Sequence, residues 1–259
     1  HRIAVGESLG QFYGYVTEGL YQVSDFDYDA ATKTYTLKEG IAAHRKDVQP
    51  GDWKFKNQDG NGVIDANDMT VIGNASPKFY GGLNNNFTYK GFDLSVFFTF
   101  SYGNEVLNAT KLVTTKVGRE NYNALEMMNS HNRWITIDAQ GNKVTDPETL
   151  TTMNAGKTIA SWHDNQQGNM YVHSWAVEDA SYLRLSNVTL GYTFPKQMIK
   201  KVGLSNIRLY ATGSNLFVWT PYTGFDPEVS NMRSPLTPGV DFGAYPRSRS
   251  FIFGINIAY

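Results

Sequence analysis

Apolar and polar residues alternate along the segment FYGGLNNNFTYKGFDLSVFFTFSY, residues 79–102. A period of two indicates β-strands whose two faces differ in polarity. The pair Lys90-Gly91 suits a tight hairpin turn and divides the segment into two arms. Each arm has about 11 residues, the length that a tilted strand needs to cross a membrane. The pattern therefore predicts two paired strands, 79–89 and 91–102.

Three later segments show related alternation. YLRLSNVTLGYTF predicts strand 182–194, NIRLYATGSNLFVWT predicts strand 206–220, and the last stretch, which contains SFIFGINIAY, predicts strand 248–259. The alternation of strand 206–220 is lost after Ala211, which predicts a β-bulge near Gly213. In strand 248–259 one face is aromatic and aliphatic, while the other is small or polar and suits the lumen of a barrel.

The connections between these strands are unequal in length. The turns at 90–91 and 195–205 are short, whereas 104–180 and 221–249 are long. Outer-membrane barrels show this asymmetry, with short turns in the periplasm and long loops outside the cell. The pattern therefore predicts that loops 104–180 and 221–249 are extracellular, together with the segment that precedes residue 79.

Composition agrees with an all-β fold. Aromatic residues make up 14% of the chain and there are 24 glycines, which suits twisted sheets with many turns. The formal net charge of -1 argues against nucleic-acid binding, and the absence of cysteine excludes a disulfide scaffold. The mean hydropathy of -0.39 is compatible with strands that alternate between lipid and lumen. The start has neither a signal-peptide pattern nor an initiator Met, so we expect a piece of a longer chain.

The segment NQDGNGVIDAND, residues 57–68, resembles an EF-hand calcium loop. Such a loop places ligands at positions 1, 3, 5, 7, 9 and 12 and a glycine at position 6. Gly62 holds position 6 and Ile64 the apolar position 8, whereas Asn at position 1 and Asp at position 12 depart from the usual pattern. The preceding GDWKFK is predicted to be extended, so the loop does not join two helices. The pattern predicts a structural Ca2+ site, and the predicted ligands are Asn57, Asp59, Asn61, the Val63 carbonyl, Asp65 and Asp68.

No catalytic centre is predicted. The five histidines form neither an HExxH motif nor an i,i+4 pair, and the chain has no GxSxG, Walker A or dinucleotide motif. Trp219 at a strand end suits an interfacial aromatic girdle. The other tryptophans lie in predicted extracellular loops, where they can pack loop cores or meet a partner; they are Trp53, Trp134, Trp162 and Trp175.

Several blocks of the chain, in order, resemble the C-terminal part of the SusC/RagA family, TonB-linked (TonB-dependent) outer-membrane transporters of Bacteroidetes. The blocks, which cover about half of the chain, are FYGYVTEGLYQ (12–22), the stretch from PGDWKF to LSVFF (50–98), YLRLSNVTLGYTFP (182–195), IRLYATGSNLFVWTPYTGFDPEV (207–229) and FIFGINIAY at the end. The resemblance implies the last strands of a transmembrane antiparallel barrel with about 22 strands and a plugged lumen. The plug domain would then lie outside residues 1–259.

The resemblance also implies a function. Family members import oligosaccharides or peptides with a SusD-like lipoprotein lid, energised through TonB, and the calcium-type loop belongs to their pattern. The chain would contact outer-membrane lipid and would not be an enzyme; its substrate-contacting residues are unknown. The alternative is a secreted, calcium-stabilised β-sandwich that binds carbohydrate, which would be soluble without detergent.

Overall fold

A computed structural model describes residues 1–115, 124–161, 171–230 and 236–259. The chain divides into two compact units. The first comprises His1–Gly73 and Leu107–Val177, and the second comprises Asn74–Val106 and Glu178–Tyr259. The predicted loop 104–180 therefore belongs largely to the first unit, and the predicted loop 221–249 belongs to the second.

The described residues contain strands of very different length. Five are long, between 9 and 14 residues, and the others have two to five residues. In chain order the strands are β1 (Gln11–Gly14), β2 (Thr17–Leu20), β3 (Phe26–Asp29), β4 (Thr34–Leu37), β5 (Trp53–Phe55), β6 (Thr70–Asn74), β7 (Phe79–Tyr89), β8 (Phe92–Tyr102), β9 (Glu105–Asn108), β10 (Val177–Asp179), β11 (Tyr182–Thr193), β12 (Asn206–Trp219), β13 (Val240–Asp241) and β14 (Ser250–Ala258).

Helical structure is short throughout the described residues. No helix there is long and apolar enough to cross a membrane. The α-helices are α1 (Ala109–Thr114), α2 (Pro147–Met153) and α3 (Lys196–Ile199), and the 3-10 turns are Val23–Asp25, Ala66–Asp68, Glu126–Met128, Ser174–Ala176 and Lys200–Val202.

The second unit is built on one antiparallel sheet with the strand order β14-β12-β11-β8-β7. These five strands coincide with the strands expected from the sequence, and their ends differ by at most two residues. Lys90 and Gly91, which form the β7–β8 turn, have φ angles of 46° and 88°. Two consecutive positive φ angles fit a type I′ turn, whose twist matches the twist of paired strands.

The sheet separates its side chains into an apolar and a polar face. Across the middle of the sheet, one row of paired residues is apolar: Phe87, Leu94, Leu190, Ala211 and Phe253. The next row, one residue along each strand, is Asn86, Ser95, Thr189, Thr212 and Ile252. Because the side chains of consecutive strand residues point to opposite faces, these rows lie on opposite sides.

The apolar face of the sheet is exposed. Phe87, Leu190 and Phe253 are 60%, 50% and 80% accessible, and neighbouring aromatic residues on the same face are similarly open. Soluble monomers rarely expose a continuous apolar surface of this extent. The face therefore has the character of a surface that meets lipid or another apolar partner.

The β11–β12 pairing contains one irregularity. The register shifts between Leu185 and Asn187 on β11, opposite Asn215 and Leu216 on β12. Asn215 has a φ of 54°, in the left-handed region. The bulge predicted near Gly213 is thus confirmed within two residues, and it explains the loss of alternation after Ala211.

The first unit consists of two-stranded sheets, short helices and a mixed core. Pairs β1–β6, β2–β5 and β3–β4 form its small sheets. Its main apolar cluster contains Leu20, Trp53, Phe55, Ile64, Trp134, Leu150 and Ala160. A second cluster of Tyr21, Phe26 and Val48 lies under β3 and β4. These elements show no sustained period in the sequence, because none of the strands exceeds five residues.

Candidate functional site

The calcium-type loop is anchored to the core of the first unit by its apolar residue. It follows β5, the extended segment that the sequence predicts before it. Ile64 at its apolar position is buried in the main cluster of the first unit, and its backbone N–H donates to the Ala43 carbonyl at 3.1 Å. The apolar residue at position 8 therefore anchors the loop in the core of the first unit.

Side-chain oxygens of the loop accept hydrogen bonds from backbone N–H groups two or three residues later. Asn57 Oδ1 accepts from Gly60 at 2.8 Å, Asp59 Oδ1 from Asn61 at 3.0 Å, and Asn61 Oδ1 from Val63 at 2.8 Å. Gly60 and Gly62 have φ angles of 74° and 85°, which a side chain would strain. The loop is thus a series of tight turns with carboxylate and amide oxygens gathered along it.

Asp65 and Asp68 close the loop with a reciprocal cap. Asp65 accepts from the backbone N–H of Asn67 at 2.7 Å and so caps the 3-10 turn Ala66–Asp68. The carboxylate of Asp68 is fully buried and accepts from the backbone N–H groups of Asp65 at 2.8 Å and Gln58 at 2.6 Å. Asp68 therefore ties the two ends of the loop together.

The donor set of the loop fits a hard cation, since every predicted ligand offers oxygen. Each oxygen of the buried Asp68 carboxylate has one hydrogen bond and retains a further lone pair. In the described residues, however, no three acidic or histidine side chains are gathered closely enough to hold an ion, so Asp59, Asp65 and Asp68 do not form one cluster. The calcium site stays a prediction.

The polar face of the long sheet carries a hydrogen-bonded network between strands. Thr189 and Thr212 are joined through their hydroxyls at 2.9 Å, and Asn187 Nδ2 donates to the Ser214 hydroxyl at 3.3 Å. Thr99 and Ser186 are joined at 2.6 Å. These groups are partly accessible and can exchange hydrogen bonds with water, as residues that line an aqueous lumen must.

An ion pair bridges two strands that are not neighbours. Asp93 of β8 accepts from Arg208 of β12 at 2.9 Å and 2.5 Å, passing over Gly191 of the intervening strand β11. A Cβ atom at Gly191 would lie 2.5 Å from both partners. The glycine thus leaves room for the ion pair, which joins β8 and β12 across the polar face near the short turns.

The connection 221–249 is fastened to the sheet by buried charges. Arg184 of β11 donates to Asp226 at 2.6 Å, and its Nε lies 2.8 Å from Glu228. Tyr222 donates to Asp241 at 2.7 Å, and burial, together with this hydrogen bond, raises the pKa of Tyr222. This docking is not visible in the sequence, because Arg184 and Asp226 lie about 40 residues apart and the connection that holds Asp226 has no periodicity.

The tryptophans predicted in extracellular loops are packing residues wherever the structure describes them. Trp53 and Trp134 are buried in the main cluster of the first unit, and Trp175 packs against it. Trp162 lies outside the described residues. Trp219 is 53% exposed at the end of β12, on the apolar face and stacked on Phe217. The girdle role of Trp219 stays a prediction.

The first unit contains a cavity of about 560 Å³ that the sequence did not indicate. Its lining combines the aromatic rings of Tyr35 and Trp134 with the cationic side chains of Lys33, Arg133 and Lys143. The volume lies in the range of small-molecule sites. The Tyr35 hydroxyl donates to the Thr145 carbonyl at 2.6 Å, and burial raises the pKa of Tyr35 to about 12. The Tyr35 side chain therefore stays neutral at physiological pH.

Comparison with known proteins identifies relatives over nearly the whole chain, although no family model matches it. TonB-dependent receptor P3 of Formosa agariphila is 35% identical across 98% of this chain, and TonB-dependent receptor SusC of Bacteroides thetaiotaomicron is 26% identical across 88%. The chain spans only 22% and 20% of the length of these two relatives. The resemblance to the SusC/RagA type of receptor is confirmed.

Solved structures share the fold. The RagAB peptide transporter matches 96% of this chain and 22% of its own, with a TM-score of 0.63 and 21% identity. The RagAB peptide importer in its 'open-open' state matches with a TM-score of 0.61 and 22% identity. These matched proteins are named as receptors, transporters or importers, which confirms the prediction that the chain is not an enzyme.

Proposed function

We propose that this chain, a homologue of TonB-dependent receptors of the SusC/RagA type, forms one sector of the barrel wall of an outer-membrane nutrient importer. The observation that carries the proposal is the two-faced sheet of the second unit. Its apolar face is exposed across five strands, while its opposite face holds a polar network and an ion pair. In a closed barrel the first face would meet lipid and the second would line the lumen.

The whole importer would have about 22 strands, of which β7, β8, β11, β12 and β14 are five. Both edge strands of the sheet, β7 and β14, would pair with strands from the rest of the protein, because an open edge cannot persist in a membrane. The short turns would face the periplasm. The connections 104–180 and 221–249 would face the outside of the cell, as would the calcium-type loop.

The substrate class that we propose is oligosaccharides or peptides. The name of the RagAB relatives supports peptides, while the family resemblance admits both. A SusD-like lipoprotein would cover the extracellular side, and energy would come through TonB, as the names of the sequence relatives suggest. No bond of the substrate is made or broken by the residues of this chain.

Calcium would act in this importer as a staple of the external loops. Asn57, Asp59, Asn61, Asp65 and Asp68 would bind it through their side chains, and Val63 through its carbonyl. The ion would supply only fixed positive charge, and binding it would require the side chains of Asp59, Asp65 and Asp68, which hydrogen bonds hold on successive turns, to draw together around it. The chain's own part is to hold those turns through the burial of Ile64 and Asp68.

Transport by the full-length receptor tests the proposal. A strain that lacks the receptor should lose uptake of a labelled oligopeptide or oligosaccharide pool, and restoring the full-length gene should recover it. A protonophore should abolish uptake in the restored strain, because TonB draws on the inner-membrane proton gradient. A receptor that remains soluble and monodisperse without detergent would contradict the membrane role and favour a secreted carbohydrate-binding module.

A further inference from the structure

The end of the second unit that carries the short turns is rich in exposed lysine. Lys90 lies in the turn between β7 and β8, and Lys196, Lys200 and Lys201 lie in the connection between β11 and β12. All four side chains are exposed. We call these four residues the lysine rim. They belong to two short turns, and the proposed transport function makes no use of them.

The members of the lysine rim lie at the same end of one sheet. The backbone N–H of Thr193 donates to the Gly91 carbonyl at 2.7 Å, so the end of β11 lies against the β7–β8 turn. The Phe194 N–H donates to the Ile207 carbonyl at 3.0 Å, which holds the next connection beside the start of β12. The two turns therefore form one continuous edge.

The lysine rim has no counter-charge among the described residues. No ion pair there involves any of its four members. At this end of the second unit the side-chain carboxylate of Asp93 is held by Arg208, and the main-chain oxygen of Tyr259 accepts from the Ser205 hydroxyl at 2.9 Å. The unit's other carboxylates belong to the opposite end, in or beside the long connections: Glu105, Glu178, Asp179, Asp226, Glu228 and Asp241.

The lysine rim is continuous with the apolar face. Tyr89 and Phe92 flank the first turn, belong to the face with Phe87 and Phe253, and are 69% and 51% exposed. Lys90 Nζ lies 5.2 Å from the centre of the Tyr89 ring. The ammonium group therefore extends on the side of the sheet that would meet lipid rather than on the polar side. Met198 in the second connection is exposed as well.

We propose that the lysine rim binds the phosphate groups of anionic phospholipids in the leaflet that surrounds the short turns, and this rests on the proposed membrane function. A lysine whose stem follows an apolar surface and whose ammonium reaches the headgroup depth gains both burial and charge attraction. The aromatic residues beside the rim would meet the glycerol and upper acyl region, as girdle residues do. A protein partner would need only charge and would not account for the adjoining exposed Tyr89, Phe92 and Met198.

Native mass spectrometry of the full-length receptor in a neutral detergent tests the lipid proposal. Dioctanoyl phosphatidylglycerol and dioctanoyl phosphatidylcholine would be titrated separately, and the bound lipids counted. The wild type should bind phosphatidylglycerol in preference. The variant Lys196→Gln/Lys200→Gln/Lys201→Gln should bind it at least about tenfold more weakly, since one lysine near an anionic surface is worth about fivefold in affinity.

A matched control separates local binding from a general loss of charge. Lys38→Gln/Lys46→Gln/Lys56→Gln removes three exposed lysines from the first unit and should leave phosphatidylglycerol affinity within about twofold. If the triple variant of the rim fails to assemble, Lys90→Gln and Lys201→Gln singly should each weaken the binding about fivefold.

Three outcomes would overturn the proposal. The first is equal binding of the two lipids by the wild type. The second is unchanged phosphatidylglycerol affinity in the rim variant. The third is unchanged lipid affinity with loss of a crosslinked periplasmic protein, which would assign the rim to a protein partner. Each of these results leaves a detergent-requiring receptor whose transport can still be measured, so failure of the lipid proposal is distinguishable from failure of the transport function.

Discussion

At the scale of single residues, some side chains of the calcium-type loop hold its backbone in place and others carry the oxygens that would bind an ion. Ile64 and the fully buried Asp68 hold the loop in its path, while Asp59 and Asp65 lie exposed on the turns. Removing either buried residue would disturb the fold of the first unit whatever the loop binds. The exposed carboxylates are therefore the ones whose substitution tests ion binding without dismantling the core.

The double variant Asp59→Asn/Asp65→Asn should lose any calcium-dependent stability. With a divalent ion bound, the wild-type full-length receptor should melt several degrees lower after chelation, because a ligand that binds only the folded state stabilises it by mass action. The variant should melt at the same temperature with and without chelator, as measured by differential scanning fluorimetry. Asp27→Asn, an exposed carboxylate of β3, is the matched control. A wild-type receptor that ignores the chelator would contradict the calcium site.

A second prediction at the residue scale concerns the space that Gly191 leaves for the Asp93–Arg208 ion pair. Gly191→Ala should displace the Asp93–Arg208 pair, since the added methyl would lie 2.5 Å from atoms of both. The cost should be about 1 kcal/mol or less, as for other water-accessible ion pairs. In a double-mutant cycle with Asp93→Ala, measured by thermal unfolding in detergent, the two effects should be clearly non-additive. Additive effects would show that the glycine and the pair are independent.

At the scale of secondary structure, sequence periodicity identified the long strands and failed on the short ones. An 11-residue strand such as β7 repeats its apolar face often enough to be read, and the Lys90-Gly91 turn marks its end. The strands of the first unit are too short for any repeat to emerge, and their cores draw single residues such as Trp134 and Ile64 from distant segments. The docking of Arg184 on Asp226 was likewise invisible, because tertiary proximity created it.

Helix α2 gives an element-scale prediction with a defined pH dependence. Asp146 caps it by accepting from the Thr149 hydroxyl at 2.7 Å and backbone N–H at 2.8 Å, and these bonds lower the pKa of Asp146. A lowered pKa in the folded state means that the stabilisation is present above the usual value of about 4 and is lost as pH falls below it.

Asp146→Ala should therefore weaken hydrogen-exchange protection of Pro147–Met153 at neutral pH. The difference from wild type should shrink as the pH falls from about 4 through the lowered pKa of folded Asp146, where its carboxylate becomes protonated. Glu148→Ala, an exposed acid in the same first turn, should have a smaller effect because its side chain makes no capping bond. Equal loss of protection in the two variants would contradict the capping role.

At the scale of the whole molecule, the second unit is organised by polarity in two directions. Across the sheet, an exposed apolar face opposes a hydrogen-bonded polar face. Along the strands, lysines collect at the short turns and carboxylates at the long connections. In the proposed importer, a sheet between lipid and a water-filled lumen would need the first asymmetry, and different chemical environments at the two membrane surfaces would account for the second. A soluble β-sandwich would require neither of these two asymmetries.

Site-directed spin labelling along β8 tests the central claim most directly. The chain has no cysteine, so any native cysteines of the full-length receptor lie elsewhere and can be replaced before single cysteines are introduced at positions 93–100 and labelled in lipid bilayers. Labels at Leu94, Val96, Phe98 and Phe100 should be accessible to oxygen dissolved in lipid, and labels at Asp93, Ser95, Phe97 and Thr99 should not. A period of two in that phase is the predicted result. Uniform accessibility, or the opposite phase, would contradict a barrel wall whose apolar face meets the membrane.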